Sequence, residues 1–116
     1  MAKAAQRKIK TLNSTIDGKL PPQALELEEA VLGALMLDNE ALSDTIDILK
    51  PEYFYKLEHQ KIFNIIIVLF NESKPVDILT VIEELKKSGE LDNIGGAFYI
   101  TQLTNNVASS ANTEYH

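Results

Sequence analysis

Leu20-Pro21-Pro22-Gln23-Ala24-Leu25-Glu26-Leu27-Glu28-Glu29-Ala30-Val31-Leu32-Gly33-Ala34-Leu35-Met36-Leu37-Asp38 decides the fold class of this chain. Pro22 suits the first turn of a helix, where its missing N–H would have no intrahelical partner. Leu27, Ala30, Val31, Ala34 and Leu35 then recur on one helix face, and Leu25, Leu32 and Met36 form a second stripe. A helix apolar on two sides packs on two sides. Gly33 in its middle costs roughly 1 kcal/mol relative to alanine, which predicts a closely approaching neighbour. The helix is expected over 22–37, with Asp38 and Asn39 ending it and capping the next one.

Downstream, Ala41, Leu42, Thr45, Ile46 and Leu49 fit a second helix that Lys50-Pro51 must end, because the residue before proline avoids the helical region. Pro51 to Tyr55 reads as a tight connector whose aromatics plug the core. The run Ile62-Phe63-Asn64-Ile65-Ile66-Ile67-Val68-Leu69-Phe70 is β-branched enough for a buried strand. However, nothing else in the chain alternates like a partner strand, and a lone strand leaves its backbone groups unpaired. The register His59, Ile62, Phe63, Ile66, Phe70 makes it a central buried helix, stopped between Asn71 and Pro75.

Asp77 caps a fourth helix carrying Ile78, Val81, Ile82 and Leu85, with Lys86 and Lys87 at the negative end of its dipole and Gly89 as a left-handed stop. Gly95-Gly96 opens a fifth helix as a pair of small residues suited to close packing. It carries Ala97, Phe98, Ile100 and Leu103 toward the core, with Tyr99 on another side. Asn105-Asn106 is expected to break it, and Ser109 and Ser110 to cap a sixth helix that holds Tyr115 and is cut off by the end of the chain. The expectation is an all-α, compact five- to six-helix orthogonal bundle over 21–116, behind a flexible basic tail, 1–20.

Composition narrows the function. The 116 residues suit one domain, and no run approaches the roughly 18 apolar residues of a membrane span. The absence of cysteine removes disulfides and thiolate chemistry and fits a reducing cytosol. The net charge of −6 is uneven: residues 1–20 hold five cations and one anion, the remaining 96 six cations and sixteen anions. An acidic globule repels phosphate, so any contact with DNA is expected to be weak and confined to the tail. Ala5, Ile9, Leu12 and Ile16 would line one side of a helix in that tail.

Catalytic constellations do not emerge. No glycine-rich turn precedes Lys-Ser or Lys-Thr, so no phosphate loop is present in the sequence. His59 stands beside Glu58 without a second ligand at metal spacing, and a local role is expected for it, such as packing against Tyr55. Asp44, Asp47, Glu83 and Glu84 fall on polar helix faces. No catalytic residue, cofactor site or metal site is expected in this chain, which points to a protein-interaction module; a free-standing helical adaptor is one reading of it.

The ordered signals resemble the opening of the bacterial DnaB-type replicative helicases. Leu20-Pro21-Pro22, Glu28-x-x-Val31-Leu32-Gly33 and Leu37-Asp38-Asn39 carry the start of the likeness. It continues through Phe54-Tyr55, His59-x-x-Ile62-Phe63, Pro75-Val76-Asp77 with Thr80, Leu85, and Gly89-x-Leu91. Gly95-Gly96-x-x-Tyr99-Ile100-x-x-Leu103 and Ala111-Asn112 with Tyr115 complete it. Leu57 departs from the commoner family form, in which a proline often precedes the histidine.

The resemblance implies the non-catalytic head of a hexameric, ATP-dependent 5′–3′ DNA helicase in the bacterial cytoplasm. The hairpin, linker and motor domain, with its ATP and Mg, would lie outside this chain. It further implies partners: the C-terminal domain of primase, other helicase protomers and a helicase loader. Tyr99, Gln102 and Tyr115 are the candidate interface residues; Pro22, Gly33, Asp77, Gly95 and Gly96 are the candidate structural ones.

Overall fold

The computed structural model describes residues 21–114, with side chains to residue 108. The expectations placed on the tail, 1–20, and on Tyr115 fall outside the described residues. Within them the fold is all-α, with five α-helices and two short 3-10 turns.

Helix α1, Pro22–Leu37, starts as the prolines require, with Pro21 at the cap position in extended geometry (φ −58°, ψ 146°). Asp38 then serves two helices. Its N–H donates to the Ala34 carbonyl at 2.9 Å and closes α1, while its carboxylate accepts from the N–H groups of Glu40 and Ala41 at 3.0 and 3.2 Å and opens α2, Asn39–Thr45. Helix α2 stops short of the expected Leu49. The Thr45 hydroxyl donates back to the Ala41 carbonyl at 2.7 Å, and the chain must become extended at Lys50 (φ −132°, ψ 149°) before Pro51. Ile46 and Leu49 still pack against the core, from the turn that follows.

The connector Pro51–Tyr53 is a 3-10 turn. Phe54 alone plugs the core from it, 5.2 Å from the Phe63 ring, whereas Tyr53 is half-buried and Tyr55 exposed. Helix α3, Leu57–Asn71, is the central one, burying His59, Ile62, Phe63, Ile65, Ile66 and Leu69. Its end, and that of α4, Ile78–Lys87, use the same device. Lys74 N–H reaches the Leu69 carbonyl past Ser73 (φ 58°), and Glu90 N–H reaches the Leu85 carbonyl past Gly89 (φ 76°), each at 2.9 Å. Asp77 begins α4 with a reciprocal box: its carboxylate accepts from Thr80 N–H at 2.9 Å, and its own N–H donates to the Thr80 hydroxyl at 3.0 Å.

After a second 3-10 turn, Asp92–Ile94, helix α5 runs unbroken over Gly96–Glu114. The expected break at Asn105-Asn106 and the sixth helix are therefore absent. Both asparagines are exposed and their helix penalty is modest, while Leu103, Thr104 and Val107 hold the same helix against its neighbours. The glycine pair opens α5 with positive φ at both residues (107° and 81°), and only Gly95 also serves close packing: a Cβ there would stand 3.1 Å from Tyr99 Cβ, whereas one on Gly96 would meet nothing within 4 Å.

Helices α1 and α5 form the most extensive helix pair and run in the same sense, since Glu29 meets Tyr99 and Gly33 meets Leu103. Gly33 has the role foreseen for it. A Cβ there would stand 2.3 Å from the Leu103 carbonyl oxygen and 2.8 Å from Val107 Cγ2.

Candidate functional site

Where α1, the connector, α3 and α5 converge, four polar side chains form a chain, His59 buried and Glu28, Tyr99 and Glu29 half-buried. His59, at the first turn of α3, is fully buried. Its Nδ1–H donates to Glu28 Oε1 at 2.7 Å, and its Nε2 lies 2.6 Å from the Tyr99 hydroxyl. The hydroxyl in turn donates to Glu29 Oε2 at 3.2 Å. It has one proton for two neighbours, so it serves Nε2 or Glu29 at any moment. Glu28 accepts two backbone donors as well, Tyr55 N–H at 2.6 Å and Lys56 N–H at 3.4 Å, which ties the connector to α1.

Aromatic surfaces enclose the network. The His59 and Tyr99 rings lie nearly parallel with centroids 6.1 Å apart, Phe54 meets the imidazole edge-on at 6.4 Å, and Lys56 Nζ sits 5.1 Å from the centroid of the Tyr99 ring. Burial, followed by the charge and hydrogen bond of Glu29, raises the Tyr99 hydroxyl well above the ordinary tyrosine range. A buried imidazole with both nitrogens engaged is a clamp and not a proton shuttle to solvent. A buried group left without its partner costs more than a made hydrogen bond returns, so the four residues fix how α1, α3 and α5 approach one another.

The sequence expectations fare unevenly here. Both ring nitrogens of His59, for which a local role was expected, find their partners on α1 and α5, Glu28 and Tyr99. Phe98, expected to point into the core, is instead 78% exposed, and its neighbour Tyr99 is half-buried. The cause is a rotation of α5 set by Ile100 and Leu103 in the core, which turns position 98 outward and brings position 99 over His59. Gln102, one turn beyond Tyr99, is exposed. Of the acidic residues expected on solvated faces, Asp44, Asp47 and Glu83 are exposed and Glu84 is half-buried. Sequence reasoning missed the part played by Glu28 and Glu29. One signal was available for Glu28: it lies in register with Leu25 and Leu32, a carboxylate inside an apolar stripe.

Among the described residues, no group of three or more metal-ligating side chains is arranged to hold an ion, and no helix is long and apolar enough to cross a membrane. Glu29 also lines a cleft of about 960 Å³ between α1 and α5, together with Leu27, Ala30, Ala34, Asn106 and Val107, among others.

Comparison with known proteins places this architecture. Residues 20–116 match the family model described as the DnaB-like helicase N terminal domain. The chain is 52% identical over 99 residues to the replicative DNA helicase DnaB of Rhodothermus marinus, covering 85% of this chain and 10% of that protein. It is 41% identical over 105 residues to the replicative DNA helicase DnaC of Bacillus subtilis, covering 90% of this chain and 23% of that one. The chain thus spans a quarter or less of these relatives. The crystal structure of the N-terminal domain of DnaB helicase from Mycobacterium tuberculosis superposes with a TM-score of 0.72 at 38% identity, over 83% of this chain and 70% of that one. An all-α bundle of this topology, matched along the whole of residues 20–116, belongs to the DnaB-like helicase N-terminal domain family.

Proposed function

We propose that the chain is the non-catalytic head of a hexameric, ATP-dependent 5′–3′ replicative DNA helicase, and that it forms the N-terminal collar and docks the C-terminal domain of primase. The observation that carries this reading is the match of residues 20–116 to the family. The structure supplies a consistent platform. The clamp centred on His59 stiffens the α1–α5 pair, and α5 turns an exposed aromatic, Phe98, and an exposed amide, Gln102, outward beside half-buried Tyr99. Rigid elements that present aromatic groups suit protein interfaces, where such residues dominate the binding energy. The acidic globule repels nucleic acid from that outer surface. ATP and Mg, other protomers and the loader belong to the larger assembly, at the bacterial replisome in the cytoplasm.

Titration calorimetry tests the reading. A primase C-terminal domain is titrated against the full-length helicase, against a form lacking residues 1–114, and against the full-length Gln102→Ala and Phe98→Ala variants. Loss of binding on removing the head supports the docking role. A central contact at position 98 or 102 should weaken binding by roughly 30-fold when truncated. Undiminished primase binding by the headless helicase refutes the docking role, whatever the point variants do.

A further inference from the structure

The cleft between α1 and α5 holds an apolar strip edged by carboxylates. Leu27, 65% exposed, and exposed Ala30 lead along α1 to half-buried Ala34, with half-buried Val107 on the α5 side. Glu26 and Glu29 stand on α1 beside them, and among the described residues that line the cleft there is no lysine, arginine or histidine. We infer that this cleft is a docking groove for an amphipathic helix of another polypeptide, one that carries lysine or arginine beside its apolar stripe. The inference does not depend on primase docking and uses neither Phe98 nor Gln102.

The shape of the groove suits a helix. Helices α1 and α5 run in the same sense and touch where Gly33 meets Leu103, so a third helix can lie along both. Gln23, Leu27, Ala30 and Ala34 recur at steps of four, three and four, the row that one helix presents to another. Ala30 and Ala34 are small, so large apolar side chains of an incoming helix can insert there, while Leu27 projects as the opposing knob. Grooves that capture amphipathic helices read anchors at this spacing. A lone exposed leucine is ordinary on a protein surface, but this one continues into the alanines and valine of a cleft.

Charge decides among the occupants. Glu26 is exposed, and the Tyr99 hydroxyl steadies Glu29 at the cleft by donating to its Oε2 at 3.2 Å. A carboxylate held in this way loses less side-chain freedom when a cation joins it. Residues 21–116 carry sixteen anions against six cations, so long-range attraction also favours a basic partner. A second copy of the chain would bring two sets of Glu26 and Glu29 into one interface, with no cation from either lining to offset them.

The test uses the full 116-residue chain, nitrogen-15 labelled, and a synthetic helical peptide with leucines at steps of four, three and four flanked by lysines. On titration, amide shifts should change at Leu27, Ala30, Ala34 and Val107 and not in α4. The same peptide with glutamates in place of the lysines should not bind. Leu27→Asp separates groove binding from mere attraction of opposite charges, because it removes an apolar contact while adding an anion at an exposed position. It should weaken binding about tenfold or more, and Glu26→Gln, which removes one exposed charge partner, should weaken it roughly two- to fivefold. Unchanged or tighter binding to Leu27→Asp, equal binding of the glutamate peptide, or shifts spread over α4 overturns the proposal. Binding that appears only after residues 1–20 are removed would make the start of this chain the occupant. A dimer of the free chain that Leu27→Asp disperses would make it a second copy. Either result also overturns the proposal.

Discussion

Replacing Gly33 by alanine sets two effects of opposite sign against each other. Helix propensity alone favours alanine in the middle of α1 by about 1 kcal/mol. Packing opposes it: the added Cβ would lie 2.3 Å from the Leu103 carbonyl oxygen, more than 1 Å short of the 3.4 Å at which ordinary contact begins. The obstacle is backbone in the middle of α5 and cannot rotate away as a side-chain tip could. The helices must instead separate, loosening the core contacts of Leu32, Ile100 and Leu103, all buried at this crossing. Overpacking typically costs about 1–3 kcal/mol, and a backbone clash of this size belongs at the upper end, leaving a net loss of about 2 kcal/mol after the propensity gain. At about 4–8 °C per kcal/mol for a domain of this size, Gly33→Ala should lower Tm by roughly 8–16 °C.

Thermal unfolding followed by far-ultraviolet circular dichroism reads this directly. The double variant Gly33→Ala with Val107→Ala removes the second obstacle, the Val107 methyl at 2.8 Å, but not the carbonyl, and should recover only part of the loss. A rise in Tm for Gly33→Ala would refute the close approach. Full recovery in the double variant would show that the methyl, and not the backbone, sets the limit.

Three further outcomes follow from the polar groups. Glu28→Ala strips acceptors from buried His59 Nδ1–H and from Tyr55 N–H and should cost about 3 kcal/mol in chemical denaturation, while Glu28→Gln, which keeps a carbonyl oxygen, should cost distinctly less; equal losses would mean that the carboxylate's hydrogen bonds are not what matters. Tyr99 has its hydroxyl raised by burial and then by Glu29, so its folded form holds the proton more tightly than the unfolded chain does. Its stabilisation is full below about pH 10 and is lost as pH climbs beyond that, and the corresponding alkaline fall in stability should shrink in Tyr99→Phe, as measured by denaturation against pH. Asp77→Ala breaks the capping box and should cost about 1 kcal/mol, seen as roughly fivefold faster amide hydrogen exchange in the first turns of α4; unchanged exchange would mean that the box is ornamental.

The success and failure of sequence reading divide along a physical line. Asp77, Gly89 and Pro22 act on backbone within a few residues of themselves, so their spacing to the neighbouring apolar residues discloses what they do. Gly33 was readable one step further, because a glycine that weakens a helix implies something gained by its lack of a side chain. Asn105-Asn106 misled because the local preference of asparagine for turns is small beside the packing of Leu103 and Val107 on α1, which keeps α5 continuous. Phe98 and Tyr99 misled for a related reason. Neighbouring positions on a helix differ by about 100°, so a modest rotation of α5 exchanges which of two aromatics is covered.

By itself the sequence determined the helical class, most of the helix limits, the glycine at the tightest crossing, the acidic balance and the likeness to helicase head domains. Only the tertiary structure decided that His59 would be clamped by Glu28 and Tyr99, and Tyr99 in turn by Glu29, across separations of 31, 40 and 70 residues. Local hydrogen bonds and caps act within about four residues and are written in spacing. The choice of a distant partner depends on how each helix is rotated and how closely it approaches, and those are properties of the packed core as a whole.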